Sequence, residues 1–169
     1  MSPPVDRIPP QIVSKGKTAE DAYLMHRAFD ISTQSDDPKA AQYPASGVGA
    51  VIVLNSEIIS ESANRLVPKL RGKYVIDDPN SPERYYYIEH AERCAIYDAL
   101  NRGIQIYGSD MYCTRFPCVD CARAISFAGI QRLVVPTGFA SESRWIDAQR
   151  AALSLLRMSE ITVRYFDPR

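Results

Sequence analysis

Two short segments of this chain carry side chains that can hold a metal ion and move a proton. The first has a histidine and a glutamate two residues apart, His90 and Glu92. The second follows Pro117 and has two cysteines three residues apart, Cys118 and Cys121. An imidazole and two thiolates are a ligand set for catalytic zinc, which takes three protein ligands and keeps a fourth position open for water. We therefore expect His90, Cys118 and Cys121 to bind Zn²⁺.

Glu92 has the spacing of an acid–base group that faces the metal site without binding the metal. A histidine and glutamate two residues apart, followed later by Pro-Cys-x-x-Cys, form the pattern of zinc-dependent nucleobase deaminases. Such a reaction needs hydroxide near neutral pH, which zinc supplies, and a side chain that carries protons to the ring and to the departing amine. We assign that catalytic role to Glu92, which predicts a zinc-dependent hydrolase acting on a cyclic amidine.

A structural zinc site is the main alternative to a catalytic one. It needs a fourth ligand, and the remaining candidates are Cys94, Cys113 and His26. Cys94 lies four residues after His90 on the same predicted helical face, so it could approach the metal. Packing as small buried apolar groups is the expected role of Cys94 and Cys113. Both motifs open predicted helices, which favours the catalytic interpretation.

Length and composition indicate one domain of ordinary size. The chain has 169 residues, 46% of them hydrophobic and 24% charged, with 20 basic and 20 acidic residues. We predict an extended, proline-rich arm over residues 1–16 and a single deaminase domain over residues 17–169. The beginning lacks the pattern of a signal peptide and no apolar run has the length of a membrane span, so we expect a cytoplasmic protein without a membrane partner. The balanced charge argues against a polynucleotide partner and favours a small-molecule nucleotide.

Hydrophobic patterning predicts an alternation of helices and strands that positions these motifs. Thr18 is the predicted cap of the first helix. Residues 33–46 and 64–84 are predicted loops. Helices are predicted over residues 18–32, 90–100, 118–128 and 143–156, and strands over residues 48–54, from Ile58 onward, and over residues 110–114, 132–135 and 161–166. Helical crossovers between the last three strands make them parallel neighbours. The predicted fold class is therefore α/β, a three-layer α/β/α arrangement around a five-stranded mixed sheet, with ligands at the carboxyl ends of strands.

From about Glu20 onward the chain resembles the cytidine and deoxycytidylate deaminase superfamily, and within it most closely the deoxycytidylate (dCMP) deaminases. The resemblance lies in Asp37-Pro38 and in residues 48–53, 85–92, 95–96, 112–118, 121–122, 125, 128–130 and 134–135. It implies a cytidine deaminase-like fold in which His90, Cys118 and Cys121 bind zinc and Glu92 is the proton shuttle. It also implies a homo-oligomer.

The same resemblance implies three substrate-binding positions. Asn64, which ends the second strand, corresponds to an asparagine that seats the sugar or base. The backbone around Ala91 and Phe116 corresponds to the edge that reads the polar groups of a pyrimidine. The resemblance implies hydrolysis of dCMP to dUMP and ammonia.

The residues alone do not decide which substrate the protein acts on. The run Asn64-Arg65-Leu66 is closer to that of tRNA adenosine deaminases, and the basic segment over residues 65–73 is either a phosphate clamp or a solvated surface. Arg115 is a second candidate for phosphate, and an aromatic side chain among residues 85–87 could stack on a ring. The alternatives are the same chemistry on a free base, a nucleoside or tRNA adenosine, and a catalytically inactive zinc-binding regulatory module.

Overall fold

The structure, a computed structural model, describes residues 18–137 and 143–167. The strands are β1 (Gly49–Leu54), β2 (Glu57–Ala63), β3 (Arg65–Leu66), β4 (Ile88–Glu89), β5 (Asp110–Cys113), β6 (Arg132–Pro136) and β7 (Thr162–Phe166). The helices are α1 (Ala19–Ser32), α2 (Pro38–Gln42), α3 (Arg84–Tyr87), α4 (Ala91–Asn101), α5 (Val119–Phe127) and α6 (Ser143–Met158). The predicted arm over residues 1–16 lies outside the described residues.

Five of the strands form the predicted mixed sheet, in the order β2-β1-β5-β6-β7. The hairpin of β1 and β2 turns at Asn55 and Ser56, whose φ angles of 53° and 65° are those of a turn that matches the twist of paired strands. β1 also pairs antiparallel with β5. β5, β6 and β7 are parallel, since α5 and α6 provide the crossovers between them.

Helices cover both faces of this sheet and complete the predicted three layers. On one face α1 packs through Leu24, Met25 and Ala28 against side chains of β1, β5, β6 and β7. On the other face α4, α5 and α6 share a larger core, in which the fully buried side chains of α4 are small, Ala91, Ala95 and Ala99. Small residues let the backbone of α4 approach the sheet closely, and the first turn of α4 carries the histidine motif.

The start of β1 is held close to α1 at a glycine. A Cβ atom added to Gly49 would lie 2.0 Å from the carbonyl oxygen of Ala28 and 2.7 Å from the backbone nitrogen of Ser32. Both contacts are with backbone, which cannot move aside as a flexible side chain can. Glycine at position 49 therefore sets how closely α1 approaches the end of the sheet where the functional motifs lie.

A buried aspartate fastens α1 to the sheet. The side chain of Asp21 is 2% exposed, and its Oδ1 accepts a hydrogen bond of 2.9 Å from the hydroxyl of Tyr112 on β5. Its Oδ2 lies 3.1 Å from Nη2 of Arg164, and Arg132 approaches Oδ1 at 3.6 Å. Burial and the hydrogen bond to Asp21 both raise the pKa of Tyr112, so the phenol remains a donor at physiological pH.

The sequence predicted the larger elements and missed the shorter ones. Thr18 caps α1 by accepting a 3.0 Å hydrogen bond from the backbone N–H of Asp21. The predicted loop over residues 33–46 contains α2 and the 3₁₀ turn Pro44–Ser46, and the predicted loop over residues 64–84 contains β3 and the 3₁₀ turn Pro68–Leu70. Each of these short helical turns has proline in its first turn, where a missing N–H costs nothing. Within residues 18–137 and 143–167, no helix combines the length and the apolarity that crossing a bilayer requires.

Candidate metal and catalytic site

Strand directions bring three chain segments to one end of the sheet. β1 is antiparallel to both of its neighbours, with Gly49 opposite Ala63 and Ala50 opposite Cys113. The start of β1 therefore lies beside the ends of β2 and β5. A 3.0 Å hydrogen bond from the backbone N–H of Gly49 to Oγ1 of Thr114 continues this contact past the last pair of β5. Phe116 and Cys118 come two and four residues after Thr114 in the chain.

A short second ladder places the histidine motif at the same end. β3 pairs with β4 over two residues, with Arg65 opposite Glu89 and Leu66 opposite Ile88. In an antiparallel ladder the next residues outward are also neighbours, so Asn64 and His90 lie side by side. The sequence analysis missed this ladder because two-residue strands leave no periodic pattern.

Both motifs sit at the beginning of a helix. His90 is the N-cap of α4, and its backbone N–H donates a 2.9 Å hydrogen bond to Oε1 of Glu89. Cys118 is the N-cap of α5, and its Sγ accepts a 3.5 Å hydrogen bond from the backbone N–H of Cys121. Helix N-termini present unpaired N–H groups and a positive partial charge, which stabilise thiolates.

The three predicted ligand atoms converge. Nδ1 of His90 lies 3.6 Å from Sγ of Cys118 and 3.4 Å from Sγ of Cys121, and all three donor atoms lie within 4.8 Å of one another. Zinc bonds of about 2.1 Å to nitrogen and about 2.3 Å to sulfur, at the tetrahedral angle, separate two ligand atoms by about 3.6 Å. The spacing and the chemistry of this donor set fit a zinc ion with one open position.

In the metal-free protein the pKa values of Cys118 and Cys121 are shifted in opposite directions. A hydrogen bond from Cys121 and one from His90 lower the pKa of Cys118 to about 3. The same contact with Cys118, together with burial, raises the pKa of Cys121 above its ordinary value. The pKa of His90 is also raised, chiefly by its contact with Cys118. One ligand is thus already a thiolate, whereas the proton of Cys121 must leave when a divalent ion binds.

Glu92 is a buried carboxyl in the first turn of α4, two residues from a ligand. Its relative exposure is 3%, and desolvation is the main cause that raises its pKa, while the charge of His90 opposes this shift. Burial therefore moves its pKa toward the neutral range, as an acid–base group working at physiological pH requires. The role of Glu92 as proton carrier stays a prediction, and the buried position of its carboxyl is compatible with it.

The other candidate zinc ligands lie elsewhere. The thiol of Cys94 donates to the backbone oxygen of Glu89 at 3.7 Å, and burial raises its pKa to about 11. Cys113 is fully buried on β5, and desolvation raises its pKa well above the ordinary value. His26 is exposed on α1. Within the described residues, the one cluster of three or more potential ligands is the set of His90, Cys118 and Cys121.

The three predicted substrate-binding positions are all buried. Asn64 is buried, and its Oδ1 accepts a 2.9 Å hydrogen bond from the backbone N–H of Val48, which fixes the orientation of the amide. Ala91 is the first residue of α4 and is fully buried. The ring of Phe116 belongs to the core and stacks on Tyr165, with centroids 6.5 Å apart and an interplanar angle of 17°.

The basic segment over residues 65–73 is partly neutralised by an aspartate that sequence analysis overlooked. Oδ2 of Asp36 accepts hydrogen bonds from Nη2 of Arg71 at 3.0 Å and from the backbone N–H of Leu66 at 3.1 Å. Nη1 of Arg65 lies 3.4 Å from the same carboxylate. Arg65 and Arg71 of this segment thus bind an internal anion, which favours a structural role for them.

The neighbouring Asp37 anchors the far end of the long connection. Its carboxylate forms two 2.6 Å hydrogen bonds with the guanidinium of Arg84, and both side chains are largely buried. Arg115, the other phosphate candidate, donates to the backbone oxygen of Ala45 at 2.7 Å. The position of Asp37 before a proline is a sequence signal for a helix cap. Its ion pair with Arg84, 47 residues away, left no signal in the spacing.

The three tyrosines before His90 differ in their surroundings. Tyr85 and Tyr86 are exposed by 58% and 73%, respectively. Tyr87 is less exposed and meets Tyr74 edge-on, with ring centroids 4.9 Å apart. The first two rings are accessible to a ligand or partner, whereas the third packs within the protein.

Comparisons with known proteins agree with this geometry. Residues 18–137 match the family model for the cytidine and deoxycytidylate deaminase zinc-binding region. Deoxycytidylate deaminase of Homo sapiens is 30% identical over 152 residues, which cover 87% of this chain and 79% of the human protein. A tRNA-specific adenosine deaminase of Agrobacterium fabrum is 36% identical over 103 residues, 57% of each chain.

Among solved structures, the apo dCMP deaminase of cyanophage S-TIM5 is similar with a TM-score of 0.65 and 21% identity, over 89% of this chain and 99% of the phage enzyme. That likeness confirms the predicted fold class. The family model spans both motifs and describes a zinc-binding region, and the donor atoms of His90, Cys118 and Cys121 are placed to hold that cofactor. This chain therefore belongs to the cytidine and deoxycytidylate deaminase family.

Proposed function

We propose that this protein hydrolyses dCMP to dUMP with release of ammonia. The observation that carries the proposal is the meeting of three zinc-ligand atoms, with the buried carboxyl of Glu92 two residues after one of the ligands. The similarity to human deoxycytidylate deaminase over 87% of the chain supports the choice of substrate. In the reaction, the bond between C4 and the exocyclic amino group breaks and a bond from C4 to the oxygen of water forms.

In this proposal His90, Cys118 and Cys121 hold the zinc ion and Glu92 carries the protons. Zinc, when bound, lowers the pKa of a coordinated water to near 7. The carboxylate of Glu92 accepts the first proton of the attacking water and delivers it to the ring nitrogen N3. It then accepts the second proton, from the new hydroxyl on C4, and passes it to the amino group, which leaves as ammonia. Burial raises the pKa of Glu92 above that of an ordinary carboxyl, which makes its carboxylate a stronger base.

Three positions would orient the pyrimidine. The amide of Asn64 is fixed through its oxygen by Val48, which leaves its NH₂ group to donate to the sugar or base. Ala91 is the first residue of α4, where backbone N–H groups lack intrahelical partners and can donate to a pyrimidine oxygen. We assign the backbone at Phe116 to the same polar edge, on the resemblance alone. A small-molecule nucleotide and a homo-oligomeric enzyme complete the proposal.

A second candidate is deamination of adenosine in tRNA. It is supported by the Agrobacterium relative and by the run Asn64-Arg65-Leu66. The balance of 20 basic and 20 acidic residues opposes it, since a tRNA ligand is held mainly by cationic side chains. Asp36 also lies against Arg65 and Arg71 and partly neutralises the basic segment that would face such a ligand.

Ammonia release from a defined panel separates these candidates. The purified zinc-loaded chain is incubated with dCMP, CMP, deoxycytidine, cytosine, guanine and a tRNA anticodon stem-loop. Release from dCMP in preference to the others supports the proposal. Release only from the stem-loop, or only from a base or nucleoside, replaces dCMP by that substrate. If the protein binds zinc but is silent on every compound, it is a zinc-binding module without turnover on these substrates and the proposal fails.

A further inference from the structure

Arg93 is a charged residue of α4 that reaches one of the zinc-ligand sulfurs. Its Nη1 lies 3.5 Å from Sγ of Cys121, within hydrogen-bonding range of sulfur. Its Nε and Nη2 both donate to Oε1 of Glu89, the former at 2.8 Å. The side chain is 19% exposed, so this contact is shielded from solvent. Two nitrogen atoms of the guanidinium thus bind the carboxylate of Glu89, and the third donates to Sγ of Cys121.

Cys121 is the ligand that most needs such a donor. It is fully buried, whereas Cys118 is less buried and accepts the backbone N–H of Cys121. A buried thiolate without donors is costly, because desolvation acts fully on its charge. Arg93 supplies a donor that remains positively charged at any working pH, since an arginine side chain does not lose its proton.

Glu89 links the ligands of the two helices. The same oxygen, Oε1, accepts the backbone N–H of His90 and the guanidinium of Arg93. One carboxylate therefore orients the backbone of the histidine ligand and the donor that faces the cysteine ligand. Glu89 ends β4 and Arg93 lies in the first turn of α4, so their ion pair joins the short ladder to the start of the helix.

We propose that Arg93, held by Glu89, is a positioning residue of the zinc site that donates to Sγ of Cys121 and stabilises its thiolate. The inference rests on the assignment of Cys121 as a zinc ligand made under the proposed function. Arg93 fixes the direction of the sulfur lone pairs and draws electron density from the thiolate. Outer partners of metal ligands typically change metal affinity by 10- to 100-fold when removed.

Zinc affinity of the full chain tests the proposal directly, with zinc alone as the probe in competition with a chelator. Arg93→Gln should bind zinc about 10- to 100-fold more weakly than the wild type. Arg93→Lys should recover only part of the loss, because one ammonium group cannot replace the planar fork. Arg102→Gln is the matched control, since Arg102 is the C-cap of the same helix and pairs with Asp98 at i to i+4, at 2.9 Å. That variant should keep wild-type affinity.

Cobalt substitution provides a readout of the sulfur itself. The sulfur-to-Co²⁺ charge-transfer band should shift in Arg93→Gln and remain unchanged in Arg102→Gln. If Arg93→Gln does not fold, Glu89→Gln tests the same contact through its anchor, with a smaller loss of affinity and a smaller shift. Wild-type affinity within twofold and an unchanged cobalt band in Arg93→Gln, or in Glu89→Gln where only that variant folds, would overturn the inference. A wild type that binds zinc but releases no ammonia contradicts the proposed function and leaves this comparison intact.

Discussion

Nδ1 of His90 lies 3.4 Å from Sγ of Cys121, although 31 residues separate them in the chain. The contact arises because each motif opens a helix and both helices begin at the same end of the sheet. His90 is brought there by the β3–β4 ladder, and Cys121 by the parallel strand β5 that precedes its helix. The fold therefore supplies a preformed metal site at the point where two positive helix ends meet.

Replacing the proton carrier should separate turnover from metal binding. Glu92→Gln keeps the size of the side chain but cannot exchange a proton, so we expect turnover on dCMP to fall by about 10²- to 10⁴-fold. Zinc content should be unchanged. Because burial disfavours the charged carboxylate, the free energy of unfolding of the metal-free variant at pH 7 should be no lower than that of the wild type. Retained turnover would remove Glu92 from the proposed mechanism.

Replacing a metal ligand should abolish both properties. Cys118→Ala removes the thiol with the lowered pKa and leaves two protein ligands, too few to hold zinc firmly. We expect loss of bound zinc in elemental analysis and loss of ammonia release. Cys94→Ala is the matched control, because Cys94 donates to a backbone oxygen rather than joining the cluster. Equal zinc content in both cysteine variants would contradict the ligand assignment.

Zinc affinity should rise with pH. In the metal-free protein the pKa of Cys121 is raised and its thiol is protonated, whereas Cys118, with a pKa of about 3, is already a thiolate. Zinc binding should therefore release about one proton when His90 is neutral, and about two below the raised pKa of its imidazole. Calorimetry in buffers of different ionisation enthalpy counts these protons. An affinity that is independent of pH between about pH 6 and pH 8 would contradict this expectation.

The buried Asp21 should matter for stability and not for chemistry. Asp21→Asn leaves two arginines and a tyrosine hydroxyl without their anion, so we expect a loss of about 2–4 kcal/mol in the free energy of unfolding, measured by denaturant titration. Asp30→Asn on the exposed face of the same helix should change it by less than about 0.5 kcal/mol. Similar values for the two variants would show that the Asp21 network contributes little net stability.

Local spacing was sufficient to predict the metal cluster and the main elements. The two motifs mark their own helix starts, and short apolar runs mark β1, β5 and β6. The expectation that His90 meets Cys118 rested on the ligand pattern of the two motifs, whereas the β3–β4 ladder that brings His90 to the site left no sequence signal. The roles of Asn64, Ala91 and Phe116 stay predictions, because a substrate contact depends on a ligand rather than on the chain alone.

Contacts between distant polar residues were beyond such reasoning. Asp36 and Asp37 bind arginines up to 47 residues away, and no periodicity links the partners. Glu89 and Arg93 left a readable signal, an acidic and a basic residue at i to i+4, but their contact with Cys121 depends on how α4 and α5 pack. Prolines at the start of short helical turns were visible and were interpreted only as loop formers.

The short ladder of β3 and β4 joins the two ends of the chain segment that lies between these strands. Val67 and Tyr87, at the two ends of that segment, are joined by a 3.0 Å backbone hydrogen bond, so the ends of residues 68–86 lie next to each other. Insertions, deletions or exchanges there need not displace the catalytic centre. The length and sequence of residues 68–86 can therefore change in evolution without altering how β3 and β4 hold His90.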